Sequence, residues 1–107
     1  MTTERVRDLN DAFRRSFAGG QVMTTVGVAA MAEELRSEVF GCVRGFEAFT
    51  RENDPHSEHD FGSFEVGGQK LFWKIDYYDA AMEFSSEDPA DPSKTTRVLT
   101  IMLASEY

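Results

Sequence analysis

Both histidines of the chain fall in one short run, Asp54-Pro55-His56-Ser57-Glu58-His59-Asp60, beside three carboxylates. Imidazole and carboxylate are competent ligands for zinc and similar ions, and a histidine beside a carboxylate can move a proton. The spacing completes neither common zinc pattern. Glu58 lies between His56 and His59 in a four-residue run, so HExxH is absent, and Asp54 stands where HxHxDH needs its first histidine. The competing account is a polar turn that feeds a strand, with Asp54 and Asp60 bonding nearby amides and the histidines paired to carboxylates. That account is preferred. The expectation is therefore no cofactor and no metal, with Asp54, His56, Glu58, His59 and Asp60 as the weak metal candidates.

A second polar group, Lys74, Asp76 and Tyr78, projects from one face of an expected strand and continues into Asp79. Such a set can move protons in principle, but charged neighbours on a solvated strand face are the more common reason for it, and that account is preferred. A nucleophile is harder to find. Cys42 sits on the apolar stripe of an expected helix, no serine occupies a GxSxG elbow, and Gly19-Gly20 lacks the Lys-Ser/Thr of a phosphate loop. The reading leans away from an enzyme.

The third group is purely acidic. No Lys or Arg occurs between Lys74 and Lys94, so Asp79, Glu83, Glu87, Asp88 and Asp91 have no neutraliser near them in sequence. They are the candidate partner-binding residues, suited to a basic protein surface. The whole chain carries a formal charge of −8, with a pI near 4.6. That field disfavours direct binding to nucleic acid or to an anionic membrane. The single cysteine precludes an intrachain disulfide, the N-terminal region opens with charge at Glu4 and Arg5 in place of an apolar leader, and no apolar run approaches membrane-spanning length. A cytoplasmic setting is expected.

The elements that must position these groups can be read from periodicity. Val6, Leu9, Phe13 and Phe17 form one stripe of a helix over 3–17, stopped by Gly19-Gly20. Gln21 to Val26 reads as a short strand ended by Gly27, and Ala30 to Phe46 as a second helix with Met31, Leu35, Val39, Cys42 and Phe46 on one face. Phe61 to Val66 reads as a strand, Gly67-Gly68 as a hairpin turn, and Leu71, Trp73, Ile75 and Tyr77 as the apolar face of its partner. Asp79 to Phe84 is ambiguous between a helical turn and a strand, and Ser85 to Lys94 is a proline-broken loop. Arg97 to Ala104 is apolar on both faces, as a central strand would be. The expectation is a single α+β domain over 1–107, an antiparallel or mixed sheet of about four strands with two helices packed on one face.

Several stretches also carry a resemblance: Leu9-Asn10-Asp11-Ala12-Phe13-Arg14, Asn53-Asp54-Pro55-His56, Glu58-His59-Asp60-Phe61-Gly62, Trp73-Lys74-Ile75-Asp76-Tyr77-Tyr78-Asp79, and Thr96 through Tyr107. Together they resemble a family of small uncharacterised bacterial proteins, mainly alphaproteobacterial, that forms a domain of unknown function. The resemblance implies a bacterial cytoplasm and a mobile-element setting, and brings no activity, cofactor or catalytic residues with it. The functional expectation is a non-enzymatic acidic binding protein, a mobile-element accessory that engages a basic, nucleic-acid-binding partner. The alternative is a small metal-dependent or acid–base enzyme using the Asp54–Asp60 loop. A homodimer, formed through a sheet edge or an exposed Phe cluster, is compatible with either.

Overall fold

The computed structural model describes residues 2–107. Helix α1 (Thr2–Ser16) leads into strand β1 (Gln21–Thr24), a single turn α2 (Val26–Ala29) and helix α3 (Glu33–Arg44). Strands β2 (Phe61–Val66), β3 (Gln69–Tyr78) and β4 (Thr96–Leu103) follow, with one-turn 3-10 helices at Pro92–Lys94 and Ala104–Glu106. The sheet order is β1-β4-β3-β2, with β1 parallel to β4 and the other two pairings antiparallel, so the fold is α+β with a mixed four-stranded sheet. Strand β4 is interior, as its two apolar faces require.

The alternation in β3 sends Leu71, Trp73 and Ile75 into one core with Leu99 and Ile101 of β4, Phe13 of α1, Val28 of α2, and Val39 and Val43 of α3. Met31 and Leu35, half-buried, pack against its edge. Trp73 lies opposite Gly62 on one side and Ile101 on the other. Gly62 is required there, because a Cβ would overlap the indole Nε1 of Trp73. The β2–β3 turn uses Gly67 and Gly68 at φ of +59° and +78°, the left-handed pair that a two-residue hairpin needs.

Two boundaries differ from expectation. The second helix starts at Glu33, and a separate turn precedes it. Gly27 lies inside that turn, where Glu106 accepts its N–H at 2.8 Å. Arg36 closes the joint by donating Nη1 to the carbonyls of Ala29 and Met31, at 3.2 and 2.6 Å. The Asp79–Phe84 stretch is neither strand nor helix but a tight loop, pinned by an isolated bridge between Tyr78 and Ser85.

Candidate functional site

The buried face of α1 is not purely apolar. Asn10 and Arg14 share it with Val6 and Phe13, and all four are buried. The Arg14 guanidinium lies 5.3 Å from the Trp73 ring centre and 5.5 Å from that of Phe49, and donates to Asp11 at 3.0 Å. Burial lowers its pKa, which Asp11 opposes. Aromatic faces and one carboxylate thus hold a cation that would otherwise be costly to desolvate.

The 46–60 loop folds onto this helix. Phe46 and Phe49 pack edge-on against Trp73. Asn53 accepts the Thr50 amide at 2.8 Å and donates to the Ala48 carbonyl at 2.8 Å, and buried Asp54 accepts the His59 amide at 3.1 Å. Ser57 and His59 adopt positive φ, +56° and +54°, an unfavourable setting for side chains bearing a Cβ and one found often at functional sites. The His59 ring stacks flat on Phe49 at 3.7 Å. Its Nδ1 donates to the Asp11 carboxylate at 2.9 Å, and its Nε2 lies 3.7 Å from Asp54 Oδ2.

Glu58 turns the other way. Its carbonyl accepts from Asn10 Nδ2 at 2.9 Å, and its Oε1 accepts from the Tyr77 hydroxyl at 2.9 Å. Asn10 also donates to the Tyr77 oxygen at 2.8 Å and accepts from Arg97 Nε at 2.7 Å, while Arg97 Nη2 donates to the Pro89 carbonyl. Burial raises the Tyr77 pKa well above the ordinary phenol value, so the hydroxyl stays a donor. A continuous polar chain therefore runs from the 54–60 loop, across α1, to the 79–95 loop.

The five residues weighed as metal ligands do not converge. His59 faces Asp11 on one side and Asp54 on the other, Glu58 faces Tyr77, and His56 is exposed. Among the described residues no three His, Cys, Asp or Glu side chains come together as a metal site. The Lys74–Asp76–Tyr78 group is tied up on its strand by an ion pair of 3.0 Å between Lys74 and Asp76.

Asp60 is half-buried, and burial first, then the neighbouring Glu58 carboxylate, push its carboxyl above the usual range. A raised carboxyl contributes fully below its ordinary pKa and loses that contribution as pH rises through the folded value. Asp60→Asn is therefore expected to raise the melting temperature at about pH 7 and to lose the advantage as the pH falls toward about 4 and the native carboxyl takes up its proton. Thermal melts of both proteins across that range check this. A difference independent of pH would contradict it.

The acidic residues behave differently from one another. Asp79 accepts the Glu83 amide at 3.0 Å, Asp88 the Ala90 amide at 3.2 Å, and Asp91 both the amide and the hydroxyl of Ser93, at 2.9 and 2.7 Å. The Ser93 bonds hold the Asp91 carboxyl below its ordinary value, with Lys94 and Arg5 adding to the effect. Glu83 and Glu87 are exposed, Glu87 lying 3.6 Å from Lys94. Between them Phe84 is 71% exposed; Met82, just before Glu83 and at φ of +61°, is 40% exposed. The loop that carries them is fastened by Asp79 N–H to the Phe84 carbonyl at 2.7 Å, Ser86 N–H to the Tyr77 carbonyl at 3.0 Å, and Ser86 Oγ to Thr95 Oγ1 at 2.7 Å.

Sequence reasoning missed Asn10, Asp11, Arg14 and Arg97 as site residues, and Met82 and Phe84 as exposed ones. The available signal for the first group was spacing: Asn10 and Arg14 sit four apart, in phase with Val6 and Phe13.

These features belong to an α+β domain with polar groups buried at one end of its core. The chain belongs to the family described as Protein of unknown function (DUF3768), whose model matches residues 24–106. The α1 contributions, Asn10, Asp11 and Arg14, precede the matched span. No curated protein and no solved structure matches the chain. Among the described residues, no helix is long and apolar enough to cross a membrane.

Proposed function

We propose that this chain is a non-enzymatic docking protein whose 79–91 loop engages a basic protein partner. Support comes chiefly from one observation: Phe84 stands 71% exposed on a loop whose backbone is fastened by its own hydrogen bonds. An aromatic side chain presented by an ordered loop has little conformational entropy left to lose on binding, which favours it as an anchor. Exposed Glu83 and Glu87 flank it, so the matching surface is an apolar pocket rimmed by Lys or Arg. A nucleic-acid-binding protein, such as one met by a mobile-element accessory, is one source of a surface with that charge. The bonds made by Asp79, Asp88 and Asp91 within the loop give those three a shaping role, leaving Glu83 and Glu87 to steer association.

Phe84→Ala is expected to change stability by no more than about 0.5 kcal/mol, as an exposed substitution does, while weakening capture of a partner at least about tenfold. The double reversal Glu83→Lys, Glu87→Lys should slow association and reduce its dependence on salt. Affinity capture from a bacterial lysate, run in parallel with the parent, both variants and a salt series, is the measurement. A protein retained equally by all three sinks the proposal.

A further inference from the structure

We propose that the pocket beside His59 binds a small zwitterion of the α-amino acid class. The cavity is about 280 Å³ and its wall includes Arg7 of α1 and Phe49, Arg51, Asp54, Ser57 and His59 of the following loop. That volume is at the small end for ligand sites and admits only a small molecule.

One wall calls for a cationic donor. A carboxylate has no proton to give, so His59 Nδ1 is the donor to Asp11 at 2.9 Å, and Nε2 is left facing Asp54. Asp54 Oδ2 lies 3.7 Å from that nitrogen, beyond hydrogen-bond range, on a side chain only 5% exposed whose other oxygen already accepts the His59 amide. That carboxylate oxygen therefore borders the cavity without a hydrogen bond from His59. An ammonium group, with three N–H donors, matches it.

Two arginines also line the cavity. Arg7 gives Nε and Nη2 to Asp8 at 3.2 Å, and Arg51 is exposed. Guanidinium forks match a carboxylate. Asp8 pairs with Arg7 and Asp11 with Arg14, which leaves Asp54 and Arg51 as one carboxylate and one guanidinium at the cavity and favours a molecule bearing both charges over a simple anion or a metal ion. The flat stack of His59 on Phe49 and the bond to Asp11 hold the imidazole in place before a ligand arrives. This inference is independent of the docking loop, since the pocket is lined from α1 and residues 49–59.

The test is titration of the intact chain with each standard L-amino acid, followed by calorimetry and by the His59 ring resonances. Methylammonium and acetate serve as half-probes. At least one amino acid should saturate with a Kd of about 1 mM or tighter, and each half-probe should bind about tenfold more weakly or worse. Arg51→Gln, an exposed change that leaves the fold intact, should weaken binding about tenfold, and Asp54→Asn should abolish it. Saturation by none of the amino acids up to about 10 mM would leave Asp54 and His59 as a structural pair and overturn the proposal. Acetate binding as tightly as the best amino acid, or an affinity unmoved by Arg51→Gln, would overturn it equally.

Discussion

Trp73→Ala is expected to destabilise the protein by about 3–5 kcal/mol, the cost of removing a large aromatic side chain from a packed core. Trp73 is fully buried between Gly62 and Ile101 and touches Phe46, Phe49 and Arg14. Its removal opens a cavity under the loop that carries His59 and withdraws one of the two aromatic faces that hold the buried Arg14 cation. For a domain of this size the melting temperature should fall by more than about 12 °C. Trp73→Phe should be much milder, because Nε1 is buried without a hydrogen-bond partner and its loss carries no unpaired group with it. Since this is the only tryptophan, far-UV circular dichroism is the probe to use. An unchanged midpoint for Trp73→Ala would contradict the placement of the ring.

Asn10→Ala is expected to cost about 3–5 kcal/mol, out of proportion to the few atoms removed. Asn10 is fully buried and has partners on every side: it accepts from Arg97 and donates to the Glu58 carbonyl and the Tyr77 oxygen. Truncation strands a buried guanidinium, whose remaining bond is to the Pro89 carbonyl, and leaves the Glu58 carbonyl short of its donor. A double-mutant cycle with Arg97→Met separates this from simple loss of packing. If the stranded charge dominates, the double variant should be more stable than the two single effects predict, by about 1–3 kcal/mol. Urea unfolding of the four proteins measures the coupling. Additivity within about 0.5 kcal/mol would show that Asn10 and Arg97 act separately.

Much of the fold was legible in the residues themselves. Strict alternation from Lys70 to Tyr77 defined β3 and placed Trp73 inward, Gly67-Gly68 defined the hairpin, and the doubly apolar Val98–Leu103 segment defined an interior strand. These signals are local: a strand repeats every two residues whatever it packs against, and a left-handed turn needs glycine wherever it occurs. The short α2 was not legible, because its lone turn depends on bonds from Arg36 and Glu106, distant or later in the chain.

The candidate sites were legible only in outline. The 54–60 run stood out by composition, and the polar-turn reading assigned Asp54 a backbone amide and the histidines carboxylate partners; His59 does take one. That the partner is Asp11, 48 residues away, could not be read from spacing, nor could the turning of Glu58 toward Tyr77. Asn10 and Arg14 look like polar interruptions of an amphipathic helix until the loop and β4 bring them partners. Phe84 lies in a stretch whose sequence is ambiguous between helical turn and strand, and only the folded chain shows it outside. Residue type and period determine which backbone states and faces a segment prefers. Which polar groups are buried together, and which aromatic ring is left in water, depends on contacts between segments far apart in sequence, so tertiary packing alone decided them.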